Sequence, residues 1–517
     1  MSAWLSIALL NSVQAQEYPT CPQVVDELRG PELLRSLSLD LRGVVPSADE
    51  YATLDGDQVP EELLREYLDS PEFAQQVVRH HRDLLWPNVS DIRLISNRQR
   101  LKLEEDRWYR YLVAPHYRGA AIDCGDFEAE WDTNGELITV PGPESGSVQE
   151  GWVWVTPYWD SEPIKVCAFG AQEPRVSPLG TECDTYDSRY DPYCGCGPNL
   201  AWCDIPDLGH NGDVANPPVH KALAGDIEHR VARIIEQDLS YLELLTGRTA
   251  YVNGPLVHFY RYQTQAPAHV RFNELPVDLE LLPELAYTDT ETWVPVELGP
   301  EQSGILTSPL YLMKYQTRRG RTNRFYDKFL CQPFTPPEGG LSDLDNPDVS
   351  LDLTQRAGCK YCHAVMEPAG AHWARWSEYG AGYLDPDEFP AFDPDCAWCA
   401  ESGESCSEEC DKYYVVDPLS SEEDPYVGWL SSYEFLEERH WDNAQAGPSL
   451  LVERGVADGR LPRCVASTTA EWLLGRELAD GEEPWVEHLS AVFVASDFDY
   501  TELVYEIVSS DSYRSVR

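Results

Sequence analysis

At 517 residues, with 42% hydrophobic and 11% aromatic side chains, the chain is too long for one ordinary core and too apolar for global disorder. Roughly two to four packed units are expected. Its 89 Asp and Glu against 39 Lys and Arg leave a formal charge of −50, which repels nucleic-acid phosphates and anionic lipid and excludes nucleic-acid binding.

The opening residues 1–16 carry a short apolar stretch, Trp4 to Leu10, and then Val13-Gln14-Ala15, a pattern suited to export and cleavage before Gln16. No basic residue precedes Arg29, and Cys21 is not placed as a lipidated first residue. Beyond Pro22, apolar side chains recur with helical spacing through Val24, Leu28, Leu33, Leu37 and Leu41 until Gly43 and Pro46 interrupt them. A second helical pattern runs from Leu63 to Leu85, and Arg107 to Tyr117 reads as its extension. Glycine, proline and acidic residues after Gly119 set a boundary near residue 120.

Val153-Trp154-Val155 and Ile164-Lys165-Val166 read as short strands in an irregular insertion, which Cys183, Cys194, Cys196 and Cys203 are placed to cross-link. Helical spacing returns over 228–245 and again near the end, over 468–478, 487–494 and 501–508. Between them, Leu384 to Asp424 holds fourteen carboxylates and one basic side chain, Lys412. It reads as a hydrated loop or a disulfide-ordered insertion. Calcium is its candidate ligand, although Asp385-Pro386-Asp387 and Asp393-Pro394-Asp395 lack the terminal glutamate of a calcium loop, as does the Glu130–Gly135 segment. Cys396, Cys399, Cys406 and Cys410 have the spacing of either two disulfides or a four-thiolate zinc site. Export favours disulfides.

The most specific chemical signal is Cys359-Lys360-Tyr361-Cys362-His363. Two thiols two residues apart can attach to the vinyl groups of a haem, and the adjacent imidazole can ligate its iron. A disulfide or a zinc site are the alternatives for the pair. The expectation is therefore one haem c, held by Cys359 and Cys362 with His363 as proximal ligand. On the distal side an open, water-bound or otherwise ligated iron is the leading expectation, with Met313 the candidate distal ligand and His372 the alternative; Met366, three residues beyond His363, stays on the attachment side. Electron transfer with a basic redox partner follows. A haem-dependent oxidoreductase or peroxidase using His372 and Arg375 is the second reading, and a polysaccharide-associated hydrolase or a haem-stabilised structural or adhesive protein are further alternatives. No GxSxG, phosphate-loop or HExxH motif supplies a more specific enzyme assignment. No apolar run is long enough to span a membrane.

Leu37 to Pro46, Leu68 to Phe73, Gly304 to Pro309, Arg319-Gly320, Leu330 to Pro333, Cys359 to Gly370, Gly475 to Leu478 and Ser509 to Arg514 together resemble an exported multidomain family common in planctomycetes and myxobacteria. Its largely uncharacterised domains accompany a cytochrome-c-like motif. The resemblance brackets much of the chain but not the acidic interval from Asp385 to Asp424, and it implies an architecture rather than a reaction. The combined reading is a mostly α, multidomain helical protein with a cytochrome-c-like segment and small irregular/β, cysteine-rich insertions. Its parts are a signal peptide (1–15), an N-terminal helical domain (16–120), an irregular/β cysteine-rich insertion (121–215), a helical domain (216–335), a cytochrome-c-like domain with the acidic insertion (336–430) and a C-terminal helical domain (431–517).

Export to the periplasm or exterior predicts that N-terminal sequencing of native secreted protein begins at Gln16. A stable cytoplasmic product retaining residues 1–15 would contradict it.

Overall fold

The computed structural model describes residues 26–85, 101–110, 117–183, 188, 190–204, 217–264, 275–335, 352–419, 421–431 and 438–516. The expected leader, its expected cleavage site and Cys21 lie outside them. The chain is mostly helical and multidomain, with small cysteine-rich β and irregular insertions.

Helix Gly30–Arg42 forms over the later part of the expected stretch, its Leu33, Leu34, Leu37 and Leu41 lining one buried stripe and Gly43 ending it at φ 71° with its N–H on the Leu39 carbonyl; upstream, Asp26–Glu27 is a strand and Leu28 lies outside the helix. The single helix expected from Leu63 to Leu85 is two, Glu61–Leu68 and Pro71–Leu85. Ser70 causes the break, accepting the Phe73 N–H at 3.2 Å, and Pro71 fits a first helical turn because it lacks the donor that would go unused there.

Arg107 to Tyr117 does not extend this helical unit. Arg107–Arg110 is a strand, antiparallel to Leu101–Glu104 and bridged in parallel at Trp108 to Val166 of strand Ile164–Cys167, which also pairs with Trp152–Val155. Both expected strands, near 153–155 and 164–166, are therefore present in one four-stranded sheet. Helical spacing misleads here because Arg107 and Arg110 are themselves buried. Arg110 donates to the Cys194 carbonyl at 3.1 Å and to Ser188 Oγ at 3.2 Å. Disulfides Cys124–Cys167, Cys183–Cys194 and Cys196–Cys203 knit this insertion.

Helix Pro217–Glu236 stops short of the expected Leu245, and a short helix, Glu243–Thr246, follows after a turn that holds Asp238 at φ 51°. Near the C-terminus, helices Glu483–Ala495 and Tyr500–Ser509 cover the expected 487–494 and 501–508, whereas the helix expected over 468–478 is Arg460–Leu474, ended by Gly475 at φ 62°. The helical parts share one core. Leu34, Phe73, Leu245, Phe259, Phe325, Trp373, Leu461, Phe493 and Leu503 belong to the same buried cluster. The acidic interval has its own small core of Leu384, Phe389, Tyr413 and Leu430 around two short helices, Pro394–Ser402 and Glu408–Tyr413. Cys396–Cys410 joins those helices and Cys399–Cys406 ties the first to the segment just before the second, so the expected disulfides form and the four-thiolate alternative does not. Asp26–Glu27 pairs with Ser515–Val516, bringing the two described ends of the chain together. No described helix is long and apolar enough to cross a membrane.

Three buried histidines make the fold acid-sensitive. His81 lies between the Val77 carbonyl at 2.9 Å and the Tyr241 hydroxyl at 3.0 Å, His258 holds the Ala201 carbonyl at 3.0 Å, and His372 holds the Gly447 carbonyl at 2.6 Å. Burial pushes them down to about 4, about 3 and about 4 respectively. The unfolded chain, with imidazoles near 6.5, binds protons first as pH falls. Their contribution to stability is therefore full above about pH 6.5 and declines toward about pH 4. Thermal unfolding should show a falling midpoint between pH 7 and 5, a range in which ordinary carboxylates remain ionised. A midpoint constant over that range would contradict this assignment.

Candidate functional site

The CxxCH segment opens the helix Lys360–Gly370. The N–H groups of Cys362 and His363 both reach the Cys359 carbonyl at 3.1 Å, so the helical turn already includes Cys359. Cys359 is buried, Cys362 is partly exposed, and both carry free thiols. The Cys362 Sγ lies 3.9 Å from the Thr335 carbonyl. Tyr361 and Val365 on the other face are open to solvent.

One turn further on, Glu367 Oε1 accepts from His363 Nδ1 and from Arg319 Nε at 2.7 Å. Glu367 is 1% exposed, and its second oxygen has no hydrogen-bond partner. Arg319 comes from helix Arg318–Phe329, which is fixed by its neighbour Arg321. The Arg321 guanidinium is fully buried and donates to the carbonyls of Leu312, Tyr315, Trp376, Ser377 and Gly380 at 2.7–3.2 Å. From the other side Asn443 Nδ2 holds the Pro368 carbonyl at 3.2 Å.

The remaining sequence-selected residues are not brought to this site. Met313 lies in the main core on helix Pro309–Lys314. His372 is 1% exposed; its Nδ1 is on the Gly447 carbonyl and its Nε2 lies 3.4 Å from Arg454 Nη1. Arg375 is turned to the carbonyls of Leu384 and Phe389 at 3.1 and 2.7 Å. Asp393 caps a helix and Asp385 closes a turn, through the N–H groups of Cys396 and Asp387. These bonds give both residues a structural role, and calcium is not carried forward.

The haem expectation is corrected by this arrangement. Among the described residues, the one group of three His, Cys, Asp or Glu side chains with ligand atoms all within 4.8 Å of one another is Cys124, Glu150 and Cys167. Its two sulfurs are bonded to each other, so they are available neither for thioethers to a porphyrin nor for iron. Glu150 is taken by Arg118 at 2.6 Å. Near Cys359 and Cys362 the expected axial pair does not assemble: His363 leans on Glu367, Met313 is core and His372 has both ring nitrogens engaged. Haem c, cytochrome-type electron transfer, the haem-based alternatives and the basic redox partner are withdrawn together. The thiols of Cys359 and Cys362 stay open to other chemistry.

The sequence reading missed Glu367, although its spacing of four from His363 was a usable signal. It also missed an acidic cleft of about 590 Å³ lined by Arg65, Asp69, Glu236, Asp238, Asp499 and Glu502. Burial holds the Asp499 carboxyl above its ordinary range. These carboxylates come from three separate parts of the chain, at Asp69, at Glu236 and Asp238, and at Asp499 and Glu502, which hides the cleft from motif reading.

The fold and site define a helical, multidomain, disulfide-stapled protein with one pair of free thiols among its described residues. Comparison with family models, curated proteins and solved structures gives no match.

Replacing Arg321 tests what positions the site. Lysine offers three donors to five carbonyls and methionine offers none. Arg321→Met should cost about 3 kcal/mol or more in urea unfolding, with Arg321→Lys intermediate. Equal stability of all three proteins would refute the role.

Proposed function

We propose that the chain is an exported protein, periplasmic or extracellular, whose working chemistry is thiol–disulfide exchange at Cys359 and Cys362. One observation carries this reading. Twelve cysteines are paired in six disulfides, while these two, three residues apart at the start of a helix, are thiols. Six disulfides suit an oxidising compartment, which supports export. Residues three apart on a helix have Cβ atoms about 5–6 Å apart, close enough for a small adjustment to close a disulfide. The likeness to the planctomycete and myxobacterial family belongs to this proposal for export and architecture, as do boundaries near 120, 215, 335 and 430, without that family's cytochrome-like chemistry.

The two thiols differ in access. Cys362, the more exposed, attacks a partner's disulfide, forms a mixed disulfide and releases one partner thiol. Cys359 then attacks Cys362 Sγ, closing the internal disulfide and releasing the second thiol. Two electrons pass from the dithiol to the partner.

Oxidised glutathione is a suitable probe for the folded protein. The expected result is a loss of about 2 Da confined to the 359–362 peptide and reversed by reductant. Cys359→Ser should trap a stable glutathione adduct on Cys362, and Cys362→Ser should abolish the reaction. Native protein in which both sulfurs already carry a covalent group, or stay inert to the probe, would overturn the proposal.

A further inference from the structure

We infer that Glu367 is a positioning residue for the dithiol, holding His363 with its proton on Nδ1 so that Nε2 is the base that takes the Cys359 proton. This rests on the exchange chemistry proposed above.

Cys359, His363 and Glu367 are spaced by four along one helix and share a single stripe of its surface. Helical side chains lean toward the N-terminus. Glu367 accordingly reaches back to His363, and the same lean directs the imidazole toward the turn that bears Cys359.

The tautomer follows from the shared oxygen. Glu367 Oε1 accepts from the Arg319 guanidinium at 2.7 Å, so the ring nitrogen meeting the same oxygen donates. A neutral imidazole with its proton on Nδ1 presents Nε2 as an acceptor. Charged groups on the elements around the site include Arg319 from helix Arg318–Phe329, Lys360 at the start of helix Lys360–Gly370, and the buried Arg356 and Asp352 in the turn that leads into Cys359. Helix Glu438–Ala457 contributes neutral Asn443 to the Pro368 carbonyl and carries the buried His440.

A second observation points the same way. The other Glu367 oxygen is buried with no donor, an arrangement that costs stability compared with an apolar side chain. A structural role would be served better by a residue without that idle oxygen. As a positioning group, the carboxylate gains when the ring becomes imidazolium, because the Nδ1 bond then acquires charge on both sides.

The step balances. His363 Nε2 accepts the Cys359 proton, and the Cys359 thiolate attacks Cys362 Sγ of the mixed disulfide, forming the internal S–S bond. The second partner sulfur leaves with the electron pair of the broken bond and takes the proton back from His363.

The test uses the full chain with glutathione as partner and follows release of the second glutathione from the mixed disulfide against pH. Glu367→Ala should slow that step about ten- to hundredfold. It should also flatten its pH profile and shift the His363 ¹⁵N signals away from the Nδ1–H pattern. Glu367→Gln, whose amide oxygen still accepts from Nδ1, should restore the tautomer and part of the rate. His363→Asn should be at least as slow as Glu367→Ala. If Glu367→Ala does not fold, Glu367→Gln and His363→Asn decide alone: wild-type rate and pH profile in both would overturn the inference. Unchanged rates with two titratable thiols in every variant would sink the role of Glu367 and leave the exchange chemistry standing. A wild-type protein that never forms the mixed disulfide would instead sink the exchange chemistry itself.

Discussion

A guanidinium with no exposure to water, that of Arg321, must place its donors, and it does so on five backbone carbonyls from two chain segments. Leu312 and Tyr315 lie just before its own helix; Trp376, Ser377 and Gly380 lie just after the helix that carries Cys359 to Glu367. A buried donor set of this size accepts little displacement, since each lost bond leaves a carbonyl without a partner. The spacing of the two helices is thereby fixed. Arg319, two residues earlier on the same helix, meets Glu367 because of it. The geometry around the thiols is thus inherited from an arginine that does not touch them.

Around that centre, stability comes from two different sources. The helical body buries long apolar side chains from distant parts of the chain in one cluster. The insertions bury little, and their cores are largely cysteine and aromatic side chains. Covalent links replace area there, as expected for units too small to bury enough surface. The charge of −50 is consistent with this division, because a cross-linked loop tolerates self-repulsion that would open an unlinked one.

The sequence was informative where one local rule acted alone. Leu33, Leu37 and Leu41 sit on one helix face and Gly43 follows, so that helix was readable to its last residue. The pairing of Cys396 with Cys410 and of Cys399 with Cys406 followed in kind, if not in connectivity, from the expectation of export. Reading failed where a distant partner decided. Arg107 to Arg110 is a strand because Leu101–Glu104 and Val166 bond to it, and nothing within the segment announces that. The CxxCH pattern read as a haem site, a reading that did not hold, and the positions of Met313 and His372 depend on packing across the whole helical body. Motif spacing could not show that His372 turns to Gly447 or that Met313 faces the core.

The disulfide between Cys331 and Cys464 spans 133 residues, whereas the two in the acidic insertion span 14 and 7. Closing so long a loop removes on the order of 5 kcal/mol of freedom from the unfolded chain. It also sets an order of events. During synthesis Cys331 emerges first, then Cys359 and Cys362, then the insertion's four cysteines, and only much later its own partner. For that interval the nearest thiols to Cys331 are the two that the finished protein leaves unpaired. Early oxidation would join the wrong sulfurs, and release would need exchange rather than simple refolding. Wherever this chain is oxidised as it is made, its maturation becomes a problem of timing, with Cys359 and Cys362 to be kept from oxidation until Cys464 arrives.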